Sequence, residues 1–300
     1  MDFVFNELER AGICVIRGEP LKAHTSFRIG GPVRAMCFPQ GETELIQAVK
    51  CLEAAGCVPL LIGNGSNLLA ADGPIDRVVI KTHDGVGEIR QVDEKSIYVS
   101  AGVLLSRAAV FARDLGLTGL EFAHGIPGTL GGAVVMNAGA YGGEMAHVVQ
   151  RVDFLEKTGL TRESLETEAL EFSYRHSRFS HTNDVILGAN LTLTPSDPHE
   201  IQGKMEELSQ KRKASQPLNL PSGGSTFKRP KQGYAAALID QAGLKGYTIG
   251  GAQVSEKHAG FVVNRGEATC EDVLRLIDHI RETVFQQTGI TLEPEIQLVQ

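Results

Sequence analysis

HGIPGTLGGAVVMNAGAYGG (124–143) is the stretch on which the reading of this chain turns. It is too glycine-rich for a helix interior and too long for a simple turn. Residues 119–143 hold eight glycines in 25 residues. Gly128, Gly131 and Gly132 allow the main chain to lie flat against a large ligand, because a residue without Cβ permits close approach. Thr129 and Asn137 add short hydrogen-bonding side chains. The alternative is a long surface Ω-loop, which the apolar GAVVM (132–136) inside it argues against.

Upstream lies a second glycine-bearing segment, LLIGNGSNLL (60–69). A strand ending in Gly63, Asn64, Gly65, Ser66 and Asn67 can turn successive backbone N–H groups into one concavity, which binds diphosphate without a cationic side chain. The spacing is not G-x-G-x-x-G, since Leu68 takes the third glycine position, and no Walker lysine follows. A plain tight turn is the other reading of this segment. Two such backbone surfaces suggest a dinucleotide whose diphosphate is held by neutral N–H groups.

The composition agrees. Of 300 residues, 42% are hydrophobic and 22% charged, as in a soluble globular protein of about two domains. The 29 Lys and Arg against 36 Asp and Glu give a net charge of −7, which disfavours a sequence-independent grip on nucleic acid. No apolar run reaches the ~18 residues of a membrane span, and the N-terminal segment lacks a signal-peptide core. The five cysteines form no CxxC pair and leave an odd one, which reads as reduced thiols in a cytoplasmic protein. The nine histidines show no zinc spacing, so no metal is expected.

Periodicity predicts a helix over 42–55 closed by Gly56, strands at 58–62, 77–81 and 96–102, and a helix over 104–115. DVILGANLTL (184–193) alternates Val185, Leu187, Ala189, Leu191 and Leu193, the pattern of a strand with one buried face. Pro195-Ser196-Asp197-Pro198 then marks a boundary, with Asp197 and Glu200 as a capping pair around Pro198. The following helix turns basic at Lys211-Arg212-Lys213 and stops before Pro217. A small helix around Tyr234–Ala242, a long one over Thr269–Thr288 and a last strand over 292–299 complete an α+β chain cut near 195–200.

Three further stretches carry chemistry. In EFSYRHSRF (171–179), Arg175 and Arg178 flank His176, a basic knot suited to an anionic substrate or, equally, to a surface ion-pair cluster. PSGGSTFKRP (221–230) sets the Ser225 hydroxyl close to Lys228. Ser225 is a proton donor if a neighbour assists it, and otherwise a loop serine. On the last strand, Ile296 and Leu298 share one parity while Glu295 sits with Gln297 and Val299 on the other. A carboxyl on a strand apolar on both sides would be kept protonated by burial; an edge glutamate in water is the alternative.

Taken in order, HTSFRIGGP (24–32), LIGNGSNLL (61–69), GLEFAHGIPGTLGGAVVMNAGAYGGE (119–144), FSYRHSRF (172–179), GGSTFKRP (223–230) and LEPEIQLV (292–299) closely resemble the UDP-N-acetylenolpyruvoylglucosamine reductases, the MurB flavoproteins of peptidoglycan synthesis. The resemblance runs from about residue 24 to the end of the chain. It implies a vanillyl-alcohol-oxidase-type (PCMH-type) FAD-binding region over 1–195 and a smaller α+β substrate domain over 196–290. The last strand, 291–300, would return toward the first region. It implies noncovalent FAD held by Gly63, Asn64, Gly65, Ser66 and Asn67 and by Gly125, Ile126, Pro127, Gly128, Thr129, Gly131, Gly132 and Ala133, with Asn137.

It further implies NADPH as co-substrate. In the ping-pong cycle of that family NADPH reduces FAD at N5, and the enolpyruvyl group then takes hydride at C3 and a proton at C2. Arg175 and Glu295 correspond to the groups holding the substrate carboxylate, Ser225 to the proton donor, and Lys228 and Arg212 to substrate-binding cations. Arg229 departs from the family's usual Asn. The short spacing from Arg175 to Ser225 resembles the compact subtype without the tyrosine-bearing loop. A cytoplasmic monomer with a small-molecule substrate is implied, with no nucleic-acid or membrane partner. The competing readings are another FAD oxidoreductase on the same scaffold and a non-catalytic nucleotide-binding protein.

Overall fold

A computed structural model describes residues 1–82 and 87–300. By contacts the chain divides into two compact units, neither continuous in sequence. The first comprises Met1–Ile16, Ala35–Asn64 and Val78–Lys211, and the second Arg17–Arg34, Gly65–Arg77 and Arg212–Gln300. The single cut expected near residue 195 is thus replaced by several crossings of the chain, the last inside the helix Pro198–Ser215. Local sequence marks the end of a strand well, but it carries no signal for which distant segments pack together.

The first unit is built on a five-stranded antiparallel sheet in the order Arg162–Glu166, Val149–Leu155, Val185–Thr192, Ser96–Ser100 and Ile89–Gln91. Ile97, Val99, Val152, Phe154, Ala189 and Leu191 form a core with the helix Leu105–Asp114 and the short helix Leu130–Val135. The alternation expected over 184–193 holds only in part. A register shift sets Gly188 opposite Asp153 but Ile186 opposite Phe154, so Leu187 is the extra residue. A bulge of this kind reverses the phase of the side chains beyond it. Ile186 therefore joins the Ala189 core, while Val185 and Leu187 enter a second core with Leu45, Val49 and Leu52 of the helix Glu42–Ala54. Both faces of the strand are buried, not one.

That second core also takes Val4, Phe5 and Leu8 from Asp2–Arg10 and Val78 and Ile80 from Ile75–Lys81. The helix Glu42–Ala54 ends as expected, with Gly56 left-handed (φ 71°) and Cys57 N–H donating to Leu52 O. The strand after it is only Leu60–Ile62, pairing in parallel with Val79–Lys81.

The second unit packs the helix Cys270–Thr288 on a three-stranded sheet of Thr248–Ile249, Ala252–Val254 and Val262–Asn264. Val273, Leu276, Ile277, Ile280 and Val284 form the apolar stripe of this helix, buried with Phe27, Phe227, Val254 and Leu292. Thr269 and Asp272 make a capping box, and the Asp72 carboxylate accepts from the N–H groups of Cys270 and Glu271. The expected strand over 292–299 pairs as a ladder only at Gln297–Val299, parallel to Leu68–Ala70. Pro294, which has no N–H, makes only an isolated bridge to Phe227. Among the described residues no helix is long and apolar enough to cross a membrane.

Candidate functional site

In the first unit the two glycine loops meet. Asn64 Nδ2 donates to Pro127 O at 2.7 Å, and Lys81 Nζ donates to Gly63 O at 3.2 Å. A Cβ built on Gly63 would stand 2.1 Å from Thr129 Oγ1, so only glycine lets the end of Leu60–Ile62 close on the threonine. Thr129 is 2% exposed and its hydroxyl has no hydrogen-bond partner. A buried polar group left unpaired costs about 1–3 kcal/mol, so its place between two glycine surfaces fits a polar group supplied by a ligand. Gly132 is exposed beside it, and its N–H has no acceptor among the described residues.

Other members of the expected set serve the scaffold. Gly131 N–H donates to Ala101 O, so this amide is committed, as is that of the intervening Leu130, which donates to Val103 O. Ala133 is 3% exposed within the core, and its N–H returns to Thr129 O. Asn137 is tied into the scaffold as well. It is fully buried, its Nδ2 donates to Ser173 O at 3.0 Å, and its Oδ1 accepts from Ala146 N–H at 2.9 Å. Both ends of its amide are thus engaged within the protein. His124, which opens the loop, has its pKa lowered from 6.5 by burial and secondarily by Arg113, favouring the neutral imidazole.

Arg175 also belongs to the first unit. Ser173 and His176 exchange both backbone hydrogen bonds, at 3.1 Å, which makes 173–176 a tight turn. Arg175 stands third in it with φ 55°, a conformation that costs a non-glycine residue about 1–2 kcal/mol. Its guanidinium donates to Gly139 O at 3.2 Å and lies over the Tyr174 ring at 5.0 Å.

The second unit brings Ser225 and Glu295 together. Gly224, left-handed at φ 81°, delivers the exposed Ser225 to the start of an extended segment. The next residue, Thr226, is fully buried and ties three strands of chain: its N–H donates to Gly260 O, its carbonyl accepts from Glu295 N–H, both at 2.8 Å, and its hydroxyl accepts from Val262 N–H at 2.9 Å. Lys228 N–H donates to Glu293 O, continuing the pairing. Gly65 (φ 63°) and Asn67 belong to this unit too, and Asn67 bonds the Glu295 carbonyl and the Gln297 N–H. Leu298 is 44% exposed and Glu295 is half-buried, between the enclosed carboxyl and the edge glutamate in water that the sequence left open.

The Lys228 ammonium pairs with the Glu293 carboxylate, and the Arg229 guanidinium stacks on Tyr234 at 4.0 Å. Arg212 stands in the last turn of Pro198–Ser215, half-buried. No group of three or more metal-ligating side chains occurs among the described residues.

Reading from sequence missed Thr226 and Lys81. For Thr226 the signal is a β-branched polar residue between the serine and the apolar Phe227. Replacing Thr226 by valine leaves the Val262 N–H unpaired and should lower unfolding stability by about 1–3 kcal/mol, while serine keeps the acceptor and most of the stability. Chemical denaturation of the two variants measures the difference.

These loops and this fold define an FAD-binding domain, and residues 33–164 match the family described as FAD binding domain. Residues 216–299 match the family described as UDP-N-acetylenolpyruvoylglucosamine reductase, C-terminal domain. The enzyme of that name from Caldanaerobacter subterraneus is 47% identical over 283 residues, covering 94% of this chain and 92% of its own. That from Clostridioides difficile is 44% identical over 281 residues, covering 94% and 92%. The crystal structure of the Thermus caldophilus enzyme (MurB) superposes with a TM-score of 0.80 at 32% identity, covering 96% of this chain and 99% of that one. Glucooligosaccharide oxidase from Acremonium strictum, at 12% identity, a TM-score of 0.52 and coverage of 97% of this chain and 60% of that one, shares the fold alone. This chain belongs to the UDP-N-acetylenolpyruvoylglucosamine reductase family.

Proposed function

We propose that this protein reduces the enolpyruvyl ether of UDP-N-acetylglucosamine to UDP-N-acetylmuramate, consuming NADPH, as a cytoplasmic monomer in peptidoglycan precursor synthesis. The observation that carries the reading, beside kinship over nearly the whole chain, is the tie through Thr226 between the Ser225 loop and the Glu295 segment. FAD, held noncovalently by the two glycine loops, would supply the hydride-transfer chemistry between NADPH and the enolpyruvyl double bond.

The chain's own residues then have three tasks. Gly63, Asn64, Thr129 and Gly132 hold the cofactor diphosphate, joined by Gly65, Ser66 and Asn67, through main-chain N–H groups and one hydroxyl. Arg175 and Glu295 hold the substrate carboxylate, on which negative charge builds as C3 gains hydride. Arg175 supplies a fixed positive charge, and Glu295, when protonated, a hydrogen bond. Ser225 Oγ delivers the proton to C2. Lys228 meets the substrate's anionic groups by leaving Glu293; an exposed pair of this kind is worth at most about 1 kcal/mol, so the exchange is easily made. Arg212 is a second substrate-binding cation.

The test is anaerobic reduction with NADPH followed by the enolpyruvyl substrate. The oxidised flavin spectrum should return on that addition and not with UDP-N-acetylglucosamine. A protein that purifies colourless and stays so with added FAD would overturn the reading.

A further inference from the structure

Asn137 is one of six non-glycine residues with positive φ among the described residues, at φ 41°, and Arg175, at φ 55°, is another. The two are linked directly. Asn137 Nδ2 donates to Ser173 O, the carbonyl that also closes the turn carrying Arg175. Asn137 Oδ1 accepts from Ala146 N–H, beyond the hairpin in which Gly139–Ala140 pairs with Gly143–Glu144. That hairpin presents Gly139 O, which accepts from the Arg175 guanidinium. The path is closed: one buried amide fixes both the turn holding the arginine backbone and the hairpin holding its head.

We propose that Asn137 is the positioning residue for Arg175, acting on substrate through it and making no contact with the cofactor. The proposal rests on Arg175 having the role given above. Two physical requirements point to Asn137. A turn with arginine at φ 55° is held against an unfavourable backbone energy, so something must over-determine it. A donor fully removed from water and aimed at the turn's own carbonyl does this without titrating. The guanidinium must also be aimed before substrate arrives, since a clamp displaced by about 1 Å loses roughly 10²-fold in rate.

Asn137→Asp separates the two bonds. It keeps an oxygen for Ala146 N–H and sets a second oxygen against Ser173 O, so the Arg175 turn is loosened while the hairpin stays tied. The expected result is full FAD content after purification, with reoxidation by the enolpyruvyl substrate slowed about 10–100-fold. In the Arg175→Ala background the same change should slow it no further, because residues acting as a unit are not additive. Three results would overturn the proposal: loss of FAD from Asn137→Asp, an unchanged rate, or an equal further loss in the Arg175→Ala background. If Asn137→Asp does not fold, Asn137→Gln, which keeps both amide groups on a longer arm, is measured in the same two backgrounds against the same criteria. Wild-type protein that fails to be reoxidised would instead overturn the proposed function, and an Arg175→Ala variant of normal rate would overturn the role of Arg175.

Discussion

Ser225→Ala is expected to slow reoxidation of the reduced protein by the enolpyruvyl substrate about 10²–10⁴-fold, the range in which a positioned general acid contributes. The geometry makes this a clean experiment. Ser225 is exposed, so its hydroxyl is not needed for the core, and the neighbouring Thr226 keeps the segment in place through three hydrogen bonds of its own. Stability should therefore stay within about 0.5 kcal/mol, as for surface changes away from packing features. Substrate should still bind, because Arg175, Lys228 and Glu295 are untouched, so the loss falls on kcat more than on KM. Stopped-flow reoxidation gives the rate, and solvent deuterium incorporation at C2 reports the proton step. Glu295→Gln is the companion. It removes the acid but keeps a hydrogen-bond donor, so unchanged turnover would reject proton donation by Glu295 and leave its carboxylate-holding role intact. An unchanged rate in Ser225→Ala would remove Ser225 from the reaction.

How much of this was legible beforehand differs by level of structure. The helices Glu42–Ala54 and Cys270–Thr288 were readable because their apolar spacing, caps and terminal glycines are local. The paired glycine loops were readable for a similar reason: Gly63 and Thr129 are recognisable by chemistry, though an approach so close that a Cβ on Gly63 would meet the threonine hydroxyl is not. The phase change at Leu187 was not readable, since a bulge is decided by the partner strand. The internal bonds of Asn137 were not readable for the same kind of reason. A short amide in a glycine-rich loop suits a ligand or a distant carbonyl equally well, and only the fold shows that Ser173 O and Ala146 N–H have taken both ends. Leu298 is likewise exposed although it pairs with Leu69 within the Gln297–Val299 ladder, which alternation along one strand does not reveal.

Gly63→Val should yield protein without flavin colour. A Cβ at residue 63 would lie 2.1 Å from Thr129 Oγ1 and 3.2 Å from Thr129 Cβ and Cγ2. The first distance is far inside van der Waals contact, so one loop must move. Thr129 has little freedom to yield. It is 2% exposed, pairs with Leu104 as an isolated bridge, and stands directly before the buried Leu130. Gly63 is held from its other side by the Lys81 ammonium on its carbonyl, and its neighbour Asn64 by Pro127 O. Valine therefore separates the two loops at the point where both must face one diphosphate, and FAD affinity should fall at least 100-fold. Small-to-large changes in packed sites cost about 1–3 kcal/mol of stability, which a domain of this size survives, so the apoprotein should still unfold cooperatively. Thr129→Val isolates the other half of the interaction. It leaves Gly63 its space and removes only the orphan hydroxyl, so it should weaken FAD about 5–30-fold, within the range for one lost hydrogen bond. Titrating FAD into the two apoproteins and following flavin fluorescence tests both. If Gly63→Val retains the colour of wild type, the meeting of these two loops is not where the cofactor is held.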